Sequence, residues 1–383
     1  MTSSFSFGFG GDDIEEDSVP ASAPAAPEPE TTPAAAHSAA AASASAFPVP
    51  GKPQLPPTGH DLRQMLAQLP SKVAFSTLDV ALDDGTTVAI PRRELWDVRV
   101  QLMAEDEAAS GGGGSGGEAE GLGSHDVKTG VYEGGFKSWE SSVDLVKVLA
   151  SGKYLDALKQ RPLRVVELGC GTALPSLAIL LWTMREPEAR SPLLLTLADY
   201  NPTVLQLVTL PNFILAWALE RKDQNPVLQE AFALEDELEL TPEVVQQFQD
   251  FLTSSQISLN FISGGWSEEL VDLLYQSQSE LDNISANNFD TLLLGAETIY
   301  SPFALEAFNE MVFAILSKEK RERGGDCQSQ ALVGAKRLYF GVGGSLDDFV
   351  DKARGKGATV TQIAEETEGV RRGVVRCTLS SSG

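Results

Sequence analysis

Acidic residues and glycines stand together where two apolar runs end, in a pattern that could bind a nucleotide-like ligand. Glu167, Gly169 and Gly171 lie in VVELGCGTALPSLAILL, between a strand-like run and a helix-like run. A glycine turn at such a junction lets the backbone approach a ligand that carries phosphate, ribose or sulfonium groups. Asp199 ends the next apolar run, and its carboxylate could accept hydrogen bonds from two ribose hydroxyls. The turn and the acid together predict a nucleotide site.

Two ligand classes fit the turn, dinucleotides and S-adenosylmethionine. The dinucleotide fingerprint G-x-G-x-x-G needs a third glycine where this chain has Leu174, which argues against a pyrophosphate on the helix N-terminus. Glu167 has no role in that fingerprint, whereas an acid there could hold a cationic ligand such as a methionine ammonium group. The turn therefore favours S-adenosylmethionine over NAD, while Asp199 suits both.

Two further strand ends carry residues that could complete the site. In SGGWSEE, Gly264, Gly265 and Trp266 suit an adenine slot, and a buried core tryptophan is the alternative. In GAETIYSP, Glu297 and Tyr300 fall at the carboxyl end of a predicted central strand, where open α/β sheets bind ligands. The alternative there is structural, with the glutamate capping a helix and the tyrosine packing at its start.

Alternating strand and helix patterns must position these residues. Apolar runs typical of strands buried on both faces of a parallel sheet occur at 163–168, 193–199, 258–263, 291–296 and 331–335. Helical patterns separate these runs, and the final stretch ATVTQIAEETEGVRRGVVRCTLS predicts two antiparallel strands. The predicted fold class is therefore α/β, a doubly wound, mainly parallel seven-stranded sheet that ends in an antiparallel hairpin.

Composition divides the chain into four parts. Residues 1–59 are acidic or rich in Ala, Pro and Ser, which predicts a disordered tail. Residues 60–104 hold two β-prone runs around DDG and a helical segment, which predicts a small hairpin and helix. Residues 105–125 are acidic and glycine-rich, as in a flexible linker, and 126–383 is the expected catalytic domain. Within it, the insertion 221–256 predicts a surface helix that begins at TPE.

The overall charge restricts the partners. A formal net charge of −25 and a pI of about 4.5 disfavour direct nucleic-acid binding and favour a basic macromolecule, although simple solubility explains the charge equally well. Three cysteines without metal-ligand spacing indicate a reducing compartment and no metal site. No signal-peptide pattern is present, and the richest apolar run, Leu177 to Met184, is too short to span a bilayer.

The motifs together resemble the seven-β-strand methyltransferases. The order E-x-G-x-G is similar to that family's adenosylmethionine turn, with Ala173 where a third glycine is common. Further stretches resemble one branch, the protein-histidine methyltransferases that modify a large-subunit ribosomal protein; these are KTGVYEGGFKSWESSVDL, LADYNPTVLQLVTLPN, FISGGWSEE, ETIY and RLYFGVGG. The resemblance covers roughly residues 126 to 383. It departs at GGW, where an acid is expected between Gly and Trp, which affects the details of the adenine site.

The resemblance implies which residues act. Trp139 and Glu140 would contact the cofactor at the start of a helix for which Ser138 is a suitable N-cap. The catalytic residues would be Glu297 and Tyr300, which match the [D/E]-x-x-Y signature of the family's protein methyltransferases. The predicted cofactor-binding set is Ser138, Trp139, Glu140, Glu167, Gly169, Cys170, Gly171, Asp199, Tyr200, Asn201, Gly264, Gly265 and Trp266.

The predicted function is methyl transfer from S-adenosylmethionine to a histidine of a basic large-subunit ribosomal protein. The chain's own histidines, His37, His60 and His125, lie outside the expected catalytic fold, so Glu297 is the predicted group to orient the target and receive its proton. The alternatives are a lysine methyltransferase of the same fold and a non-catalytic, adenosylmethionine-binding chaperone of a ribosomal protein. We expect a monomer in the cytoplasm and nucleus, without membrane association.

Overall fold

The computed structural model combines one large sheet, helices on both of its faces, and a smaller sheet. It describes residues 53–111, 134–151, 161–185, 191–276, 289–322, 327–339 and 343–379. Most of the predicted tail and most of the predicted linker lie outside these ranges, so only residues 53–59 and 105–111 of these two segments can be compared with the structure. Residues 105–111 belong to a helix instead of the predicted linker.

The helices and strands have the following bounds. The strands are β1 (Thr58–His60), β2 (Lys72–Ala81), β3 (Thr87–Arg93), β4 (Leu163–Leu168), β5 (Leu193–Asp199), β6 (Glu237–Glu239), β7 (Ile257–Ser263), β8 (Asp290–Ala296), β9 (Ser329–Lys336), β10 (Ala358–Glu366) and β11 (Arg372–Leu379). The helices are α1 (Leu62–Ala67), α2 (Leu95–Gly111), α3 (Glu140–Ser151), α4 (Leu174–Arg185), α5 (Pro202–Gln224), α6 (Pro226–Ala231), α7 (Pro242–Ser254), α8 (Glu268–Gln276), α9 (Pro302–Glu322) and α10 (Leu346–Gly355).

The large sheet has the order β1-β7-β5-β4-β8-β9-β11-β10 among the described residues. Strands β7, β5, β4, β8 and β9 pair in parallel, and the antiparallel hairpin β10–β11 joins the far edge. The predicted doubly wound α/β class and its C-terminal hairpin are therefore confirmed. The chain runs outward from β4 to β5 and β7 on one side and continues to β8 and β9 on the other, so the strand order reverses beside β4. Such a reversal opens a crevice at the carboxyl ends of the strands.

The sheet has one strand more than the expected seven. Strand β1 adds antiparallel to β7, with Thr58 opposite Ser263 and His60 opposite Phe261. Residues 58 and 59, which the sequence analysis assigned to the tail, therefore belong to the sheet. A three-residue strand beside a proline-rich stretch has no periodicity that a sequence pattern could reveal.

The central strands are buried because helices cover both faces of the sheet. β4 and β5 are buried along their whole length, as their continuous apolar runs predicted. Helices α3, α4, α5 and α7 pack into the core on one face, and α8, α9 and α10 pack into the core on the other. Helix α5 is long and apolar enough to cross a membrane by composition, which the sequence analysis missed. However, 83% of an apolar 18-residue stretch of this helix is buried inside the protein.

The N-terminal hairpin and the insertion helix form as predicted. β2 and β3 pair antiparallel, and β6 from the insertion extends this hairpin into a three-stranded sheet. Helix α7 starts at Pro242 with the Thr241 hydroxyl accepting the Val244 amide at 3.2 Å, which is the predicted cap. Its buried residues Val244, Phe248 and Leu252 follow helical spacing, so this surface helix is anchored by one apolar stripe.

A buried ion pair lies at the amino end of β4, on the sheet edge opposite the crevice. The Arg164 guanidinium contacts the Glu319 carboxylate at 2.7 Å, and the two side chains are 2% and 1% exposed. The Tyr275 hydroxyl donates to the same carboxylate oxygen at 2.5 Å. Removal of one partner would leave a buried charge without its counter-ion.

We therefore expect Glu319→Ala to lower the free energy of unfolding by about 3–5 kcal/mol, the cost of breaking a buried pair. Urea unfolding followed by circular dichroism measures this value. The control is Glu306→Ala on the same helix, since Glu306 pairs with Lys352 at an exposed position and should cost less than about 1 kcal/mol. Equal losses of unfolding free energy in the two variants would contradict the stabilising role of the buried Arg164–Glu319 pair.

Candidate active site

One cavity at the carboxyl ends of the central strands brings most of the predicted site residues together. The residues of the prediction that line it are Trp139, Glu167, Gly169, Cys170, Gly171, Asp199, Tyr200, Asn201, Gly264, Trp266, Glu297 and Tyr300. Ser138, Glu140 and Gly265 flank these residues in sequence and are not part of the lining. Across the described ranges, no three His, Cys, Asp or Glu side chains are grouped as metal ligands would be.

The turn after β4 needs backbone conformations that favour glycine. Gly169 has φ +65°, and a Cβ there would lie 2.6 Å from the Thr298 side chain, which is too close. Gly171 has φ +50°, and Ala173 is also left-handed at φ 58°. A glycine would adopt the left-handed backbone of Ala173 without strain. The buried Cys170 amide donates to Ala198 O at 3.0 Å and so ties the turn to β5.

Glu167 sits at the end of β4 and faces the start of α4. Its Oε2 atom accepts hydrogen bonds from the Ser176 hydroxyl and from the Ser176 amide at 3.1 Å. Burial raises the pKa of Glu167 to about 7, against the opposing effect of the Ser176 bonds. Both of these bonds use one oxygen, so the other remains able to accept from a cationic ligand in the cavity.

Asp199 links the turns after β4 and β5. One carboxylate oxygen accepts the Gly171 amide at 3.0 Å, and the other accepts the Asn201 amide at 3.1 Å. Burial raises the pKa of Asp199, and the backbone hydrogen bonds oppose that shift. Each oxygen has a second lone pair, so the anchored carboxylate retains capacity for a ligand hydroxyl.

The turn after β7 carries the predicted adenine slot. The Gly264 amide donates to the carbonyls of Asp199 and Tyr200, each at 3.1 Å, which places this turn against the end of β5. The Trp266 ring lines the cavity and also packs 5.6 Å from the Phe308 ring. The two interpretations of Trp266, core packing and ligand contact, are therefore compatible.

A segment that the sequence analysis assigned to the tail crosses this turn. The Leu55 amide donates to the Tyr200 hydroxyl at 3.0 Å, and the Gly265 amide donates to Leu55 O at 2.8 Å. Gln54 lines the cavity, and a Cβ on Gly264 would lie only 2.4 Å from Pro56 O. The predicted tail boundary at residue 59 is thus wrong at its end, because residues 54–58 contribute to the site through backbone contacts that no sequence pattern marks.

Glu297 is held by residues that the sequence analysis missed. Its carboxylate accepts hydrogen bonds from the Ser141 hydroxyl and the Tyr339 hydroxyl, both at 2.5 Å. Burial raises its pKa, while the two hydroxyls and the nearby Lys336 oppose that shift. RLYFGVGG was singled out by resemblance, but Tyr339 received no role because its neighbours depend on the tertiary fold.

Tyr300 lies at another part of the cavity wall. Burial raises its pKa to about 12, and the nearby Asp199 and Tyr200 add to that shift. Its electrostatic neighbours are therefore on the β5 side, whereas those of Glu297 come from α3 and β9. The two residues predicted to act as a pair share the cavity and have different neighbours.

The start of α3 differs in detail from the prediction. The helix begins at Glu140, which is exposed in the first turn, so Ser138 lies one position too early to be its N-cap. The Ser138 hydroxyl instead lies 3.1 Å from the Thr172 hydroxyl, next to the turn after β4. Trp139 is partly exposed and lines the cavity mouth. The segment thus lies at one side of the cavity, and Ser138 makes a different contact from the predicted cap.

The chain is similar to known proteins over most of its length. The chain is 32% identical over 318 residues to histidine protein methyltransferase 1 of Schizosaccharomyces pombe, covering 82% of this chain and 83% of that protein. It is 35% identical over 268 residues to the Saccharomyces cerevisiae protein of the same name, covering 67% of each. The chain belongs to the histidine protein methyltransferase family. The enzyme class and the S-adenosylmethionine cofactor predicted from the sequence are thereby confirmed.

Other comparisons are less informative. No family model matches the chain. A homolog of histidine protein methyltransferase 1 from Bos taurus is 28% identical over 254 residues, which is 66% of this chain and 57% of that protein. Among solved structures, a human methyltransferase 10 domain containing protein has a TM-score of 0.32 at 11% identity, covering 63% of this chain and 83% of the other.

We expect Asp199→Ala to weaken S-adenosylmethionine binding in this family member by about 1.5–3 kcal/mol, because charge-assisted hydrogen bonds are lost. This loss corresponds to a dissociation constant on the order of ten- to a hundredfold higher. Calorimetry on the wild type and the variant measures it, with NAD as the control ligand that should bind neither. An unchanged constant would remove Asp199 from the ligand site.

A second expectation concerns the segment before β1. A chain that begins at Thr58 should bind S-adenosylmethionine about tenfold more weakly than one that begins at Pro53, because the hydrogen bonds of Leu55 to Tyr200 and Gly265 are missing. Gln54→Ala in the full chain tests the one side chain of this segment that lines the cavity. The interpretation fails if the two truncated chains bind the cofactor equally well.

Proposed function

We propose that this protein transfers the methyl group of S-adenosylmethionine to a histidine of a basic large-subunit ribosomal protein. The observation that supports this best is the arrangement of three carboxyl groups, two of them buried and one half-buried, around one cavity. Glu167 and Asp199 lie at the ends of β4 and β5, and Glu297 lies at the end of β8 on the other side of the strand-order reversal. Glu167 and Asp199 suit the methyl donor, S-adenosylmethionine, and Glu297 remains for the residue that accepts the methyl group.

The described residues fit the cofactor. Glu167 offers an acceptor for an ammonium group, Asp199 offers acceptors for ribose hydroxyls, and the glycine turn between them leaves room for close approach. Trp266 offers an aromatic ring in the same cavity. When bound, S-adenosylmethionine supplies a methyl group on a sulfonium centre, so the protein's main contribution is to position the acceptor.

Glu297 suits a neutral imidazole as the acceptor. Its carboxylate can accept a hydrogen bond from one ring N–H, which leaves the lone pair of the other ring nitrogen free to attack. Methylation makes the ring cationic, and the carboxylate stabilises that charge and can take the proton that is released. A lysine would have to lose a proton first, and a nearby carboxylate opposes this by stabilising the ammonium group.

The charge of the chain supports a basic substrate. The formal net charge of −25 attracts basic proteins and repels nucleic acid. Ribosomal proteins of the large subunit are basic, as the charge of this chain requires of a substrate. They occur in both the nucleus and the cytoplasm, which are the expected locations of this enzyme, and we expect the enzyme to be a monomer. A protein that bound these substrates without turnover would keep the same charge and the same cavity, so only a measured reaction separates the two functions.

Glu297→Gln should keep the cofactor affinity and lose turnover, because the amide preserves the shape and removes the charge that stabilises the methylated ring. The assay follows radiolabelled methyl transfer onto a large-subunit ribosomal protein fraction. Mass spectrometry of the product then identifies the modified residue. We expect at least a hundredfold lower rate, within the range of about 10²–10⁴ for the loss of a general base.

Glu310→Gln, a change at an exposed α9 carboxyl group, is the matched control and should turn over normally. Methyl-lysine as the sole product would refute the histidine assignment. Undiminished turnover in Glu297→Gln would refute the role of this carboxylate. Binding of the basic fraction without any methyl transfer by the wild type would favour the chaperone function.

A further inference from the structure

Three elements converge on the Glu297 carboxylate. Ser141 comes from the first turn of α3, Glu297 from the end of β8, and Tyr339 from the segment after β9. Each carboxylate oxygen accepts one hydroxyl, Oε1 from Ser141 and Oε2 from Tyr339, both at 2.5 Å. The close approach of α3 to β9 makes this possible, since a Cβ on Gly334 would lie 3.0 Å from Ser141 O.

A second contact accompanies the Tyr339 hydrogen bond. The Lys336 amide donates to the Tyr339 hydroxyl oxygen at 3.4 Å, and the hydroxyl proton is available to donate to Glu297. Glu297 is an acceptor on this side. Its backbone is left-handed at φ 56°, and its amide donates to Gly334 O at 3.0 Å. A non-glycine residue in this conformation needs such support from its surroundings.

We infer that Ser141 and Tyr339 are positioning residues that hold the Glu297 carboxylate as a hydrogen-bond acceptor facing the methyl-acceptor side of the cavity. Tyr339 thereby takes the place beside Glu297 that the sequence pattern assigned to Tyr300. This inference rests on the proposed function for its catalytic meaning, whereas the hydrogen-bonded cluster can be tested without any substrate.

The charged groups around Glu297 shift its pKa in opposite directions. Lys336 on β9 is the nearby cation and favours the ionised carboxyl group, while Glu140 on α3 disfavours it. The Lys336 ammonium also lies 5.3 Å from the centre of the Trp139 ring and 5.8 Å from that of the Tyr339 ring. Each hydroxyl donor stabilises the carboxylate, so loss of either donor should raise the pKa of Glu297.

The test is a difference infrared titration of the full chain, in which Glu297→Gln identifies the carboxyl band of Glu297. In Tyr339→Phe that carboxyl group should protonate about one pH unit or more above the wild-type value, because a charge-assisted hydrogen bond is lost. Ser141→Ala should shift the titration in the same direction, and it provides a second variant if Tyr339→Phe does not fold. Unshifted titration in a folded variant would overturn the inference.

A matched control exists at the opposite edge of the sheet. Tyr275→Phe removes a hydroxyl that donates to the buried carboxylate of Glu319 at the same distance of 2.5 Å. It should leave both the Glu297 titration and methyl transfer unchanged. If Tyr339→Phe lowers thermal stability as Tyr275→Phe does and leaves the Glu297 titration in place, Tyr339 has only a structural role and the inference is wrong.

Methyl-transfer rates then connect the cluster to the reaction. With saturating cofactor and the large-subunit ribosomal protein fraction, Tyr339→Phe should lose about tenfold or more in kcat at acidic pH and recover part of it as the pH rises. Its cofactor affinity should equal that of the wild type. A shifted titration without any methyl transfer by the wild type would retain the hydrogen-bonded cluster and refute the proposed function, so the two failures are distinguishable.

Discussion

The hydrogen bond from the Gly171 amide to the Asp199 carboxylate joins the two turns on which the cavity depends. β4 and β5 are neighbouring parallel strands, so their carboxyl ends meet at one edge, and the carboxylate bridges them there. The Gly264 amide adds the turn after β7 by donating to the carbonyl of Asp199. Three turns therefore form one hydrogen-bonded unit. Asp199, the buried acid predicted to hold a ligand, also accepts hydrogen bonds from backbone amides. Without these bonds, burial of the amides would cost free energy.

Two non-glycine residues with a left-handed backbone lie near this edge. Two of the four non-glycine residues with positive φ among the described residues, Ala173 and Glu297, belong to the turns after β4 and β8. The parallel pairing of β8 with both β4 and β9 supports the conformation of Glu297. The end of β8 could not change its backbone conformation without breaking hydrogen bonds to a neighbouring strand. Strained backbone conformations persist where many surrounding contacts hold them in place, and such positions are common at functional sites.

The two edges of the sheet use buried charge differently. At the amino edge, Arg164 and Glu319 neutralise each other, so that buried acid has a cationic partner in place. At the carboxyl edge, Glu167, Asp199 and Glu297 accept hydrogen bonds from hydroxyls and amides, and burial raises the pKa of each. These acids keep unused acceptor capacity beside an open cavity. The first arrangement stabilises the fold, and the second suits ligands that carry positive charge or N–H and O–H donors.

The sequence by itself determined the doubly wound fold, the glycine turn, the acids at the strand ends and the insertion helix. Buried parallel strands read as continuous apolar runs, and a helix cap is a local contact, so both are visible in the order of residues. Only the tertiary structure placed Ser141 and Tyr339 on Glu297 and residues 54–58 across the turn after β7. Those contacts join residues far apart in sequence through single hydroxyls and backbone amides. Such groups leave no periodic signal, and their partners are decided by how helices and strands pack.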